Sequence, residues 1–114
     1  MLVLEDEPII SMVLEDGLLD LGARPAMAGT IEQAEQLLAS GRQFEAAILD
    51  VNIHGQESYG FARGLVAMGV PFVFASGYGN TSPPDLGHVP VFTKPYDLAA
   101  IAAAITGISP PPPA

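Results

Sequence analysis

The chain contains no cysteine, so neither a disulfide framework nor a thiolate metal site can be built from it. Positive charge is scarce. Arg24, Arg42, Arg63 and Lys94 stand against thirteen acidic residues, a net charge of -9, which repels phosphate backbones at long range and argues against direct nucleic-acid binding. No apolar run approaches the roughly 20 residues needed to cross a bilayer, and no basic-then-apolar leader precedes Leu2. The expectation is a cytoplasmic protein without membrane association. There is no internal repeat, and low complexity is confined to the proline run from Pro110 to Pro113. A length of 114 residues suits one domain with one core. That domain is expected over residues 1–108, with a proline-rich tail over 109–114.

What the chain does have is a buried strand that stops on a carboxylate. Ala47-Ile48-Leu49, after Phe44 and with no turn residue among them, reads as a strand covered on both faces, as in a parallel sheet flanked by helices. It ends at Asp50. In an open α/β sheet, ligands and chemistry gather at the carboxyl ends of strands, which makes Asp50 a candidate reactive group. The plainer reading is an aspartate opening a turn, and the other strand ends bear on the choice. Met1-Leu2-Val3-Leu4 stops at Glu5-Asp6-Glu7; it begins so near residue 1 that a few leading residues are expected to be missing. Pro71-Phe72-Val73-Phe74-Ala75 stops at Ser76-Gly77, and Val89 to Thr93 stops at Lys94-Pro95. A weaker strand over Arg24 to Ala28 suits a sheet edge.

Helices fill the intervals. Pro8 suits a first helical position, and Ile10, Val13, Leu14, Leu18 and Leu21 recur at helical spacing until Gly22. Thr30 with Gln33 forms a capping-box signature ahead of the stripe Ile31, Ala34, Leu37 and Leu38, closed by Gly41. Ser58 is a cap candidate for a third helix with the stripe Phe61, Leu65 and Met68, ended by Gly69. Between Tyr78 and Pro90 glycine and proline rule out a long helix, leaving one turn at most from Pro83-Pro84. Asp97 caps a last helix from Leu98 to about Thr106. Met12, Met27 and Met68 are expected to fill core gaps. His54 and His88 lack metal-ligand spacing and read as loop residues.

Five strands alternating with helices predict a doubly wound five-stranded parallel sheet of the α/β class, with the fourth helix short or absent. Its strand ends bring Glu5, Asp6 and Asp50 together, with Ser76 and Lys94 arriving from the next two strands. Three crowded carboxylates repel one another, and a hard divalent cation with oxygen ligands relieves that repulsion. Magnesium fits, since it keeps several waters and leaves positions for phosphoryl oxygens. Lys94, the sole lysine of the chain, sits opposite these acids.

Leu2-Val3-Leu4-Glu5-Asp6-Glu7-Pro8, Ile48-Leu49-Asp50-Val51-Asn52 with Gly55, Ala75-Ser76-Gly77-Tyr78 and Thr93-Lys94-Pro95 together resemble the receiver (CheY-like) domain of two-component response regulators. Each motif is short, but four in this order cover the chain up to about Ile108. The resemblance implies a flavodoxin-like sheet of order 2-1-3-4-5 and a phosphoprotein acting in a phosphorelay. Asp50 matches the phosphoacceptor, and Asp6 matches a direct magnesium ligand. Glu5 matches the second acidic position, often acting through water, and Asn52 supplies a backbone carbonyl to the metal. Ser76 matches the hydroxyl that bonds a phosphoryl oxygen, and Lys94 the ammonium that pairs with the phosphorylated carboxylate. The implied partners are a histidine kinase or histidine phosphotransfer protein and a downstream signalling protein. The domain is expected not to be an enzyme beyond phosphoryl transfer to, and hydrolysis from, its own Asp50.

Two departures narrow the resemblance. The run Pro71 to Tyr78 is similar to the alphaproteobacterial receivers nicknamed FAT GUY, with Ser76 where their motif has threonine; those receivers are often free-standing, and the same is expected here. Val91 occupies the place of the usual switch aromatic, so Tyr78 and its loop become the expected switch. The uncharged run Leu98 to Thr106 leaves an apolar outer face beside the fifth strand. Val91, Ala99, Ala100 and Ala103 are therefore the expected partner surface, for a homodimer or for a docking signalling protein. Two other classes compete. A pseudo-receiver that only binds partners would lack the acceptor or the lysine, and neither is missing. A magnesium-dependent aspartyl phosphotransferase or phosphohydrolase would carry a second acid two residues after the nucleophile, where this chain has Asn52.

Overall fold

Short, mostly apolar segments, polar only at their carboxyl ends, pair side by side at the centre of the molecule. The computed structural model describes residues 1–76 and 83–93. In chain order its elements are β1 (Leu2–Leu4), α1 (Pro8–Asp20), β2 (Ala26–Ala28), α2 (Ile31–Ala39), β3 (Ala47–Asp50), β4 (Asn52–Ile53), β5 (Gln56–Glu57), α3 (Tyr59–Met68), β6 (Phe72–Ser76), a 3-10 turn at Pro84–Leu86, and β7 (Val91–Thr93). Five strands form one parallel sheet in the order β2-β1-β3-β6-β7. Counted without the small β4-β5 hairpin, this is the expected 2-1-3-4-5 order. The weak strand β2 lies at one edge and β7 at the other.

Alternation along the strands divides the core between two faces. Leu2, Leu4, Ala47, Leu49, Phe72 and Phe74 point to the face covered by α2 and α3, whereas Val3, Ile48, Val73 and Ala75 meet Leu14 and Leu18 of α1. Phe74 is fully buried and makes edge-to-face contacts with Tyr59 and Phe72, both at 5.5 Å between ring centres. Both faces of β3 are therefore dry, and its end is held rigidly.

The helix ends follow local chemistry. Pro8 opens α1. The Thr30 hydroxyl accepts from the Gln33 amide at 3.0 Å, while the Gln33 side chain accepts from the Gly29 amide at 2.8 Å. The first bond satisfies an amide that the first turn of α2 would leave without a partner, and the second ties the residue before the cap back onto the helix. Gly69 closes α3 in the left-handed conformation at φ 73°. No helix among the described residues is long and apolar enough to cross a membrane.

Three expectations need correction. Met12 and Met68 are exposed, at 63% and 57%, and fill no core gap; Met27 is half-buried. Val13 and Leu21 of the expected α1 stripe are also exposed, because a helix lying on a sheet buries one stripe only and α1 spends it on Leu14 and Leu18. Ser58 stands at the cap position of α3, but its hydroxyl makes no capping bond. It donates instead to the Asp50 carbonyl at 2.6 Å.

Among the described residues, a single 3-10 turn stands where the fourth crossover helix was expected to be short or absent. Leu86 anchors it in the core, and the Arg63 guanidinium of α3 forks onto the Asp85 carboxylate at 2.8 and 3.3 Å. The hydrogen bond from Arg63 holds the Asp85 carboxyl below its usual range. Its folded value being depressed, the hold it adds is present above the ordinary carboxylate range and is lost as pH falls through the folded value. Both side chains are exposed, so the effect on global stability is small. Asp85→Asn, or acidification of the wild type, is expected to lower hydrogen-exchange protection at Leu86 and Val89 with little change in melting temperature; unchanged protection in both would contradict it. Ser58→Ala leaves the buried Asp50 carbonyl without this donor and is expected to cost about 1–3 kcal/mol in chemical denaturation, whereas a simple cap residue would recover on Ser58→Asp.

Candidate functional site

Asp50 ends β3 with 5% of its surface exposed. A buried carboxylate must be held by donors and by a fixed backbone. The Asn52 amide donates to Asp50 Oδ1 at 3.3 Å. The main chain on either side is tied down: the Val51 amide donates to the Ala75 carbonyl at 3.2 Å, the Ser58 amide donates to the Val51 carbonyl at 2.8 Å, and the Ser58 hydroxyl bonds Asp50 itself. Sequence reasoning placed Ser58 as a helix cap and missed this role. Ser58 stands eight residues beyond Asp50, so its position before a helix was the one signal, and that favoured the cap.

The neighbouring strand delivers the other acids. The Glu5 amide donates to the Ala28 carbonyl at 3.0 Å, which continues the β1-β2 pairing one residue beyond the strand. Glu5 is 2% exposed, Asp6 is half-buried and Glu7 is exposed at the start of α1. Candidate ligand oxygens of Glu5, Asp6, Glu7 and Asp50 all lie within 4.8 Å of one another. The structure thus brings Glu5, Asp6 and Asp50 together and adds Glu7, which the sequence placed at the same strand end without a role in the cluster. Two carboxylates about 5 Å apart repel by roughly 3 kcal/mol at an effective dielectric near 20, so four in one place make a cluster that can hold a cation. An all-oxygen donor set of this kind fits a hard divalent ion such as magnesium.

A feature with no counterpart in the sequence reading borders this cluster. Asn52–Ile53 and Gln56–Glu57 pair antiparallel as a hairpin with His54 and Gly55 at its tip. Both tip residues have positive φ, 49° and 81°, as the tight two-residue hairpin turns require. The Asn52 side-chain oxygen accepts from the Gly55 amide at 2.9 Å. The His54 amide donates to Asp6 Oδ2 at 2.9 Å, and His54 Nδ1 lies 3.9 Å from the same oxygen. A His-Gly pair between short polar-apolar segments was the available signal. Asn52 lies two residues beyond Asp50, with its side chain exposed.

Two further site residues, Ser76 and Val91, lie on β6 and β7, on the other side of β3 from β1. Ser76 ends β6 and is paired in register with Thr93 of β7, as Asp50 is with Ala75. Val91 starts the edge strand and is exposed. Lys94 follows Thr93 in sequence but lies outside the described residues. So do Tyr78, Ala99, Ala100 and Ala103, the last helix expected over Leu98 to Thr106, and the proline-rich tail.

No protein-family model matches the chain, and no curated relative matches it. Solved structures do. SdrG from Sphingomonas melonis Fr1 is 37% identical over 91% of this chain and 92% of its own, with a TM-score of 0.78. A solution structure of BeF3-activated SdrG, from Pseudomonas melonis Fr1, is 38% identical over 94% of this chain and 92% of its own, with a TM-score of 0.75. The REC domain of the PhyR response regulator from Erythrobacter litoralis is 26% identical over 99% of this chain and 93% of its own, at a TM-score of 0.76. A CheY-like response regulator receiver domain from Methylobacillus flagellatus, 21% identical over 95% of this chain and 96% of its own, shares the fold at a TM-score of 0.78. With that fold, those relatives and an acidic cluster at the carboxyl ends of its central strands, the chain belongs to the response regulator receiver domains.

Proposed function

We propose that the chain is the phosphoacceptor of a two-component phosphorelay, taking a phosphoryl group on Asp50 from a histidine kinase or a histidine phosphotransfer protein. The observation that carries this reading is the meeting of a buried strand-end aspartate with Glu5, Asp6 and Glu7 inside 4.8 Å. In the transfer, a carboxylate oxygen of Asp50 forms a bond to phosphorus as the phosphorus–nitrogen bond of the donor phosphohistidine breaks, and the freed imidazole nitrogen regains a proton from solvent. The product is a mixed anhydride, which water later hydrolyses back to the carboxylate.

A carboxylate is a poor nucleophile toward a phosphoryl group that already carries negative charge, so positioning and charge neutralisation do most of the work. Asp6, Asp50, the backbone carbonyl of Asn52 and Glu5 acting through water would hold magnesium, which neutralises charge on the phosphoryl oxygens when bound. Ser76 is proposed to bond a phosphoryl oxygen and Lys94 to pair with the phosphorylated carboxylate. The rigid end of β3 keeps Asp50 aimed, and the buried surroundings limit competing water. Output is by protein contact in the cytoplasm, and the chain catalyses no reaction beyond its own phosphorylation and hydrolysis. The FAT GUY subgroup assignment rests on the run from Pro71 to Tyr78 and on Val91 in the place of the usual switch aromatic.

Incubation with magnesium and acetyl phosphate, followed by intact-mass measurement, is expected to give a single labile phosphoryl adduct, and Asp50→Asn is expected to abolish it while keeping the fold. An adduct of undiminished yield in the variant would overturn the assignment. Asp6→Asn removes one charge from the ligand set and is expected to weaken magnesium binding on the order of tenfold in a calorimetric titration; unchanged affinity would displace the cation site.

A further inference from the structure

The β4-β5 hairpin does something that a plain connection from strand to helix would not. Its tip crosses back to Asp6, a residue 48 positions away in the sequence, and donates a main-chain hydrogen bond to its carboxylate. His54 must take φ 49° to do so, a left-handed conformation uncommon for a residue with a side chain. The turn is locked from inside by the bond between the Asn52 side chain and the Gly55 amide. From the other end, α3 follows directly, its first residues tied to β3 through Ser58. A short, strained and doubly anchored turn therefore ends on one oxygen of one acid.

We propose that this hairpin is the positioning device of the cation site, with the His54 amide as a clip on Asp6. A carboxylate held at one oxygen cannot rotate freely, so its other oxygen is presented in a fixed direction. Cation binding and hairpin order are then coupled, and each favours the other. His54 acts here through its main chain and is a positioning residue for Asp6. This inference rests on the proposed magnesium reading and adds the group that orients its ligand.

The glycines supply the test. At Gly55, φ +81° with nothing within 4 Å of an added Cβ, Gly55→Ala introduces backbone strain and no clash. Gly41, after α2, has φ +86° and the same open space, so Gly41→Ala imposes equal strain away from the acids. Gly55→Asn is the conservative rescue, since asparagine tolerates the left-handed region. Magnesium titrations of the full chain, with circular dichroism to verify folding, are expected to show affinity reduced roughly fivefold to tenfold in Gly55→Ala. Gly55→Asn should restore it, and Gly41→Ala should bind as wild type does. Without metal, hydrogen exchange at the His54 amide should speed up in Asp6→Ala and in Gly55→Ala.

Affinity in Gly55→Ala equal to that of wild type, or an equal loss in Gly41→Ala, would overturn the clip while leaving the cation reading intact. If wild type itself takes up no magnesium, the cation reading fails and with it the coupling. His54 exchange that ignores Asp6→Ala would overturn the clip whatever the metal does.

Discussion

Mutual repulsion of carboxylates at one end of a buried sheet is the constraint on which the rest of this structure depends. Glu5 and Asp50 are almost fully buried and share their space with Asp6 and Glu7. Left to themselves, such groups would spread into solvent. What prevents that is the stiffness of the strands they terminate. β1 and β3 are adjacent and parallel, flanked by β2 and β6, and dry on both faces. Their ends can move apart only by breaking the sheet.

The polar contacts around the acids continue this restraint from the core into the loops. Ser58 ties the start of α3 to the Asp50 carbonyl, Asn52 turns its amide to the Asp50 carboxylate, and the hairpin tip reaches Asp6. Each contact is modest by itself, about 1 kcal/mol for an ordinary hydrogen bond and more where a charge is involved. Their combined effect is geometric. They fix the directions of acids whose proposed task is to receive a phosphoryl group with a cation beside it, and preorganisation of this kind is how a site does chemistry with ordinary groups.

Much of this was legible in the residues. Apolar runs without turn residues marked the strands, and carboxylates at two of their ends marked the site. Thr30 and Gln33 marked the start of α2. The sheet order followed from the family resemblance rather than from periodicity. What was not legible had physical reasons. Apolar residues surround α1, so the pattern could not say that Val13 and Leu21 face outward while Leu14 and Leu18 face the sheet. Met12 was assigned to the core by residue type and Met68 by its place in the α3 stripe as well, although tolerance of burial does not require it. The hairpin of Asn52 to Glu57 is too short for any period to show, and its one sign was the His-Gly pair. Ser58 was read by its offset from the helix, when its hydroxyl is spent on the end of β3.

The central claim is that Asp50 is the residue phosphorylated and that the surrounding acids require a cation for it. Borohydride reduction tests both at once, because an acyl phosphate is reduced to an alcohol whereas a free carboxylate or a phosphoester is not. After treatment with acetyl phosphate and reduction, peptide mapping is predicted to find homoserine at position 50 when magnesium is present and none when it is chelated. Reduction at another acid, or a yield at position 50 that does not depend on magnesium, would contradict the account.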